Sequence, residues 1–471
     1  MKGKRFLSFV LLSLAPLLLF SPAVVHADWE PDVRLTFNDS ASYTSDNNAW
    51  CVAASGDTVH VVWGDFRIAR NNPEIYYRRS IDGGVTWGPE VRLTNADSAS
   101  TYPSIAVLGA DVHVVWCDAR EGVREVYYKR SSDGGTTWSQ DLRLTSTTSY
   151  NPCVATEGTN VHVVWADTRN MSTIYYRRST DRGITWDPDI CLTSVQYSNA
   201  PAVASFKGWV YVIWSDNMRL YLARSTDDGA TWRPDTCFVL SPAQAFFPSI
   251  AVSGAVVHVA WSDNRYAHDP HDPTIYYKRS TDSGVSWGID TCLLSNGFYS
   301  SWYPSLAASG ENVHLVCPRS WPEGSSLIGS YLRSTNRGAD WLRETRLTDH
   351  FASYSVAAAG SIVHVVWDDD RDRTNYPEIY YKRNPTGNSG VEEQPVQSCV
   401  SPYSFHISPN PFFTFAKVPG HSSDRFLLYD ISGRKVGTYR GDRIGEGLRA
   451  GVYFLRSSDS NAKPLRIVKV R

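Results

Sequence analysis

From about residue 50 onward, short runs of β-branched and aromatic residues alternate apolar with polar positions, and breaks rich in Gly, Asp and Ser separate them. One stretch shows the arrangement. Pro103–Val107, Val112–Trp116 and Glu125–Arg130 are followed by a turn and then by Leu142–Thr145. A period of two is that of a half-buried strand, so each such stretch predicts four strands. The stretch repeats about every 50 residues, a period that means a propeller or a solenoid. Its second run recurs seven times, through His60, His113, His162, Tyr211, His258, His314 and His364.

Between the third and fourth runs lies a near-copied phrase, S-x-D-x-G-x-T-W. It begins at Ser80, Ser131, Ser179, Ser225 and Ser280, and a weaker copy, with Asn336 and Asp340, begins at Ser334. The residue types suit a turn. Asp82, Asp133, Asp181, Asp227, Asp282 and Asn336 bond back to turn amides with the hydroxyls, the Gly takes a backbone angle that other residues resist, and the Trp buries a ring beside it. The phrase resembles the Asp-box, or bacterial neuraminidase repeat, of sialidase-like β-propellers. Six complete turns against seven second strands are reconciled at the ends. Trp29–Thr36 matches the segment after each turn, as in Trp87–Thr94, whereas the last unit stops after Glu378–Arg383. The N-terminal strand is therefore expected to complete the last unit and close the ring, which removes open sheet edges. Seven blades follow, one more than in the sialidases the chain resembles.

The two ends differ from this body. Lys2, Lys4 and Arg5 precede an apolar run from Phe6 to Phe20, and Val25-His26-Ala27 is a small-x-small cleavage signal. Residues 1–27 thus read as a secretory signal peptide; an apolar core of about 15 residues falls short of the roughly 20 that a membrane span needs. Residues 386–402 have the Pro, Gly, Ser and Gln composition of a linker. Residues 403–471 carry, in order, Ile407-Ser-Pro-Asn-Pro-Phe412, Leu427-Leu-Tyr-Asp430 with Gly433-Arg434, Leu448-Arg-Ala-Gly-Val-Tyr-Phe-Leu455 and a basic terminal run. This series resembles the C-terminal sorting domain of the type IX (Por) secretion system, a small β-sandwich. It implies outer-membrane secretion machinery as a partner, and a product released or held at the bacterial outer surface. The expected fold is all-β: a seven-bladed Asp-box β-propeller over 28–385 plus a small C-terminal β-sandwich.

Composition changes this picture little. The 471 residues carry a net charge of −2, which gives no reason to expect a nucleic-acid partner. Eight cysteines in an exported chain suggest disulfides, but Cys191, Cys237 and Cys292 each follow a turn Trp by five residues and so repeat on different blades. They are expected to be free packing residues. No pair has metal-ligand spacing, and His268–Asp272 and Asp368–Asp372 lack one too; no metal or cofactor is expected.

Candidate chemistry lies where the second run ends, in a second repeat, W-x-D-x-R: Asp65 with Arg67, Asp118 with Arg120, Asp167 with Arg169, Asp263 with Arg265 and Asp369 with Arg371. The fourth unit has Asp216 with Arg219, and the sixth keeps only Arg319. The arginines could grip carboxylates, or each could tie down its own loop. Recurrence favours the loop, because a site breaks symmetry and scaffolding keeps it. Loop length does break symmetry. The span from Trp214 to Tyr221 is the shortest and that from Trp261 to Tyr276 the longest, and long loops fall on blades five, six, seven and one. That side is expected to form a raised rim, with Arg67, Tyr266, His268, Arg319, Trp321, Glu323, Arg371 and Tyr376 as candidate ligand-binding residues. Aromatics at the start of the first run, Tyr102, Tyr150, Tyr197, Phe247, Tyr303 and Tyr354, could stack sugars around a channel or pack between blades. Glu74, Glu125 and Glu378 share one repeat position, so no unmatched carboxylate pair stands out for glycosidase chemistry. The sequence therefore points to a secreted, non-catalytic propeller that binds a glycan or a surface protein. An exo-α-sialidase-like hydrolase using Arg67, Arg265 or Arg371 is the alternative.

Overall fold

A computed structural model describes residues 29–44, 50–193, 198–216, 218–232, 238–241, 244–265, 273–294, 301–320, 327–350, 352–371, 376–387, 414–418, 424–431, 433–457 and 465–470. The signal-peptide segment and nearly all of the linker lie outside them. The described residues are almost entirely β, with one short 3-10 turn at Thr168–Asn170.

Seven antiparallel sheets follow one another along the chain. We number them by their second strands: Thr58–Asp65, Asp111–Asp118, Asn160–Asp167, Trp209–Asp216, Val256–Asp263, Asn312–Ser320 and Ile362–Asp369. The second strands alternate towards two neighbours and are buried on both faces. Val, Ile and Trp therefore fill nearly every position of Val59–Trp63 and its counterparts. Each first strand packs beside the next sheet's first strand, and Tyr354–Ala359 of sheet seven lies beside Val52–Ser55 of sheet one. Opposite the repeated His or Tyr, every first strand has an alanine: Ala53, Ala106, Ala155, Ala204, Ala251, Ala307 and Ala357. A methyl is small enough for seven strands to approach a common axis, and these alanines line a cavity of about 230 Å³ there. The outermost strand of sheet seven comes from the N-terminus, as the complementary ends predict. Val33–Arg34 pairs with Tyr381 and Tyr380, and the Glu30 amide donates to Arg383 O at 3.0 Å.

The S-x-D-x-G-x-T-W turns fold as their residues demand. In the first, Ser80 Oγ donates to Asp82 at 2.7 Å and accepts from the Gly84 amide at 2.8 Å, while the Thr86 amide and hydroxyl donate to the same carboxylate. The Thr86 hydroxyl and amide hold the Asp82 carboxyl down to about 2. In the sixth turn the polarity is exchanged: Asn336 Nδ2 donates to Asp340, whose own amide donates back to Asn336.

Sheets are joined by one tyrosine each. Tyr128 Oη bonds His113 Nδ1 of its own sheet at 2.7 Å and meets Trp186 of the next turn edge-on at 4.9 Å. Gly183 of that turn sits at φ +78°, and a Cβ there would lie 1.8 Å from Tyr128 Oη. Tyr77, Tyr176 and Tyr277 do the same to Gly135, Gly229 and Gly338, and Tyr381 does it to Gly84 of the first turn. Tyr331 meets Trp29, which occupies the turn-tryptophan position of sheet seven. Sheet four solves the problem differently. Its third strand has Leu222 at the tyrosine position, and Tyr211 replaces the histidine and bonds Ser283 O at 3.2 Å beside Gly284.

The tail forms a separate four-stranded antiparallel sheet from Arg425–Asp430, Lys435–Arg440, Gly451–Ser457 and Leu465–Lys469. Ala416, Val418 and Ile444 pack with Phe426, Leu428, Leu455 and Ile467 in a core of its own. Of the cysteines, Cys117, Cys153, Cys191 and Cys317 are free thiols, and all but Cys191 of these are buried. Cys237 and Cys399 lie outside the described residues.

Gly183→Ala forces either the turn or Tyr128 to move and adds a strained φ, so it should cost roughly 3 kcal/mol; Tyr128→Phe, which loses one buried hydrogen bond, should cost about 1–2. Chemical denaturation of the two variants checks the ranking. A second outcome concerns pH. Burial, with an arginine nearby, holds His60 and His364 down to about 4 and His113, His162, His258 and His314 to about 3. The unfolded chain takes up protons on these rings near 6.5 and the folded chain does not. Their stabilisation is thus complete above about pH 6.5 and lost as pH falls through 4 and 3. The urea midpoint should be level from about pH 7 to 8 and fall steadily below 6; equal midpoints at 7 and 4.5 would show that the rings are not held neutral.

Candidate functional site

The second strand of every sheet ends on the side opposite the S-x-D-x-G-x-T-W turns, and at this end stand the described W-x-D-x-R groups that the sequence singled out. Its architecture starts from a buried carboxylate. Asp65 is wholly buried and accepts the Trp63 indole N–H at 3.0 Å and the Ser42 hydroxyl at 2.9 Å. Such a charge is stable only when paired and fully bonded. Arg67 supplies the pairing: Nε and Nη2 donate to the two carboxylate oxygens at 2.9 and 2.6 Å, and the backbone amide adds a third bond. The remaining guanidinium nitrogen bonds Glu90, the residue just before the outermost strand, and the guanidinium carbon lies 4.3 Å from the centre of the Tyr76 ring.

The same triad recurs as Asp118–Arg120–Asp141, Asp167–Arg169–Asp189, Asp263–Arg265–Asp290 and Asp369–Arg371–Asp32. Burial pushes Asp118 and Asp167 up, but the bonds from Arg120 and Arg169 outweigh it and hold both carboxyls below their ordinary value. Arg67, Arg265 and Arg371 thus have two acids each within their own sheet. Arg319 differs in register. It stands where the other sheets have the aspartate, opposite Ile328 as Asp65 is opposite Glu74, and it bonds Glu344 directly. Cys317, in place of the tryptophan, brings no indole N–H that would need a carboxylate.

The third-strand glutamates are equally engaged. Glu74 accepts from Thr94, from the Ala96 amide at 2.9 Å and from Arg92 at 2.8 Å, and Glu378 accepts from Thr36 and Arg34. Where that glutamate becomes Thr173 or Thr274, the outer-strand arginine becomes Cys191 or Cys292. Among the described residues one cluster has metal-ligand spacing: His350, Asp369 and Asp370. Asp369 already carries the Trp367 indole and the Arg371 guanidinium, so the charge a cation would meet is largely compensated.

Of the remaining candidates, Tyr376 is 39% exposed, and Tyr266, His268, Trp321 and Glu323 lie outside the described residues, as does Tyr197. The first-strand aromatics do not form one ring. Tyr102, Phe247 and Tyr303 share a position, immediately before a proline, with φ of 54°, 49° and 44°. Asn151 and Ala200 occupy it in sheets three and four, so Tyr150 falls one residue earlier. Tyr354 is buried in sheet seven against Trp367, its hydroxyl donating to His350 O at 2.7 Å. A left-handed residue before proline is costly; Tyr102 and Phe247 sit at a bulge of the first strand, and Tyr303 lies two residues before its first strand begins. Phe247 and Tyr303 consequently lie ring to ring at 4.3 Å, both partly exposed. In sheet one Tyr43 and Phe66 pair edge-on at 5.7 Å. Neither pair was legible as a contact, because the partners come from different repeats or from different strands.

The chain matches no family model and no curated protein. Solved structures do share its fold. A family PL25 polysaccharide lyase, an ulvan lyase, bound to -[GlcA(1-4)Rha3S]- is 10% identical with a TM-score of 0.52, covering 74% of this chain and 95% of that one. The PL25 ulvan lyase in a second structure gives 0.53 at 11% identity over 74% and 95%. Polysaccharide lyase Uly1 gives 0.50 at 11% identity over 76% and 99%. At these identities the likeness is one of fold, and the chain has a β-propeller-like fold in common with these lyases.

Arg120→Ala leaves Asp118 buried with no countercharge, so it should destabilise the protein by about 2–4 kcal/mol. Thermal melting checks this; an unchanged melting temperature would mean that the Asp–Arg pairs do not hold the sheets together.

Proposed function

We propose that this chain is a secreted, seven-bladed propeller of the Asp-box type that binds a glycan at its W-x-D-x-R face without cleaving it. The observation that carries this reading is the state of the arginines. Arg67, Arg265 and Arg371, which a sialidase-like grip on an acidic sugar would need, each hold two acids of their own sheet. What the face offers instead is aromatic surface: Phe247 with Tyr303, and Tyr43 with Phe66. Flat aromatic surface suits the apolar faces of sugar rings. Both pairs lie on the side of blades five, six and one, where the long loops fall. Fold-mates that act on polysaccharides, one of them bound to a uronic-acid-containing chain, support a glycan as the ligand class.

The blade count rests on seven sheets with seven first strands in succession, and on Trp29 standing where each turn places its tryptophan. Export rests on sequence: the 1–27 segment as signal peptide and residues 403–471 as a type IX sorting domain of β-sandwich form. The separate hydrophobic core of the tail sheet suits such a detachable module.

A glycan array on the purified protein, run beside fluorogenic sialosides and an assay for unsaturated uronate products, tests the binding role. Binding without turnover is expected, weakened about fivefold or more by Tyr303→Ala with Phe247→Ala. Turnover of any of these substrates, abolished by Arg67→Ala or Arg371→Ala, would replace the binding role by a catalytic one. Deleting residues 403–471 should leave the propeller in the periplasm, and undiminished release of the truncated form would reject the sorting role.

A further inference from the structure

Five sheets build the same receptor for a guanidinium and fill it themselves. The walls are a tryptophan and an aspartate two residues apart on the second strand, and a tyrosine cross-strand from the tryptophan. In four sheets Arg Nε and Nη2 clasp the two carboxylate oxygens at 2.6–2.9 Å, and Arg371 places both on one oxygen. The guanidinium carbon lies 4.0–4.5 Å from the centre of Tyr76, Tyr127, Tyr175, Tyr276 or Tyr380, and those five rings are 4–6% exposed beneath it.

Sheet four has the walls without the occupant. Trp214, Asp216 and Tyr221 stand in the same register, with Trp214 opposite Tyr221 and their rings stacked at 5.8 Å. The position that holds arginine elsewhere is Met218, at φ +63° and 54% exposed. Asp216 is 2% exposed, yet Oδ1 has no hydrogen-bond partner and Oδ2 receives only Ser198 Oγ at 3.5 Å. The buried Trp214 indole N–H is likewise without a partner. Tyr221, unlike its five counterparts, is partly uncovered. Burial raises the Asp216 carboxyl, the reverse of Asp118 and Asp167. Arg219 opens the third strand directly across from Asp216, and its charge opposes the rise that burial imposes, but its side chain is exposed and makes no hydrogen bond to the carboxylate.

We propose that Trp214, Asp216 and Tyr221 form a binding site for an arginine side chain supplied by another protein, which takes in trans the place that Arg67 and its four counterparts take in cis. The ligand class follows from the chain's own five examples. A guanidinium satisfies both carboxylate oxygens at once and covers the tyrosine face, whereas an ammonium can do neither as fully. A partner would present the arginine from an exposed loop or an extended basic segment. The strand that carries Phe247 borders this site, its Ala245 amide donating to Met218 O at 2.9 Å. Glycan binding and arginine binding are therefore told apart by their variants: Tyr303→Ala lies in sheet six and should leave arginine binding unchanged.

The test is a calorimetric titration of the full chain with N-acetyl-arginine amide, and with the lysine and citrulline analogues as controls. Saturable binding is expected for arginine, about tenfold weaker binding for lysine, and none for the uncharged citrulline. Met218→Arg should fill the cradle from within, abolish arginine binding and raise the melting temperature, while Asp216→Asn should weaken binding at least about tenfold. Equal binding of arginine and citrulline, or arginine binding that survives in Met218→Arg, overturns the proposal. So does binding that emerges only in Arg219→Ala, which would place Arg219 in the cradle. The Met218→Arg result stands whether or not Asp216→Asn folds.

Discussion

A third-strand tyrosine wedged between two sheets is the contact on which the rest of the molecule depends. Its hydroxyl bonds a histidine of its own sheet, its ring edge meets the next turn's tryptophan, and its tip fills space that only a glycine leaves open. An edge-to-face pair contributes about 0.5–1.5 kcal/mol beyond area burial, and the buried hydrogen bond a similar amount. Because the contact recurs from Tyr77 round to Tyr381, each sheet is oriented by its predecessor and orients its successor. The exchange in sheet four, with Tyr211 for histidine and Leu222 for tyrosine, moves the hydroxyl to the other strand and still delivers it beside Gly284. What is held constant is the contact, and the residue that provides it changes.

The opposite end of each sheet is governed by charge. Burying an aspartate under a tryptophan makes a countercharge obligatory, and the arginine that provides it then needs an acid just before the outermost strand. Three strands are thereby stitched at one point, and the arginine's charge is met within its own sheet. Sheet six reverses the sign by placing Arg319 at the aspartate position against Glu344, and the loss of its tryptophan accompanies that reversal. The exchange of Glu–Arg for Thr–Cys in sheets three and five follows the same rule, since both members of the pair change together. In the binding role we propose, a face with such self-sufficient charges meets ligands through what is left over. In this chain that is aromatic surface around blades five, six and one, and the carboxylate in blade four that no guanidinium clasps.

Much of this was legible in the chain, for a physical reason. Strand alternation, the spacing of the turn phrase and the complementary ends are local patterns, and local backbone chemistry decides them. The repeated use of serine, aspartate and glycine in tight turns needs no distant partner to be recognised. Recurrence also led to the expectation that each W-x-D-x-R arginine ties down its own loop, and the Asp–Arg pairs do form within each sheet; one sheet's solution is repeated when every sheet poses the same problem. Tertiary structure alone decided which groups remain available. That Tyr354 is buried while Tyr303 meets Phe247 ring to ring depends on a one-residue difference in register where the first strand begins, and register is set by pairing across strands. That Arg319 belongs to the aspartate series depends on its partner across the sheet. That Asp216 goes unclasped although Arg219 is three residues away depends on side-chain direction at the start of a strand, which sequence distance does not encode.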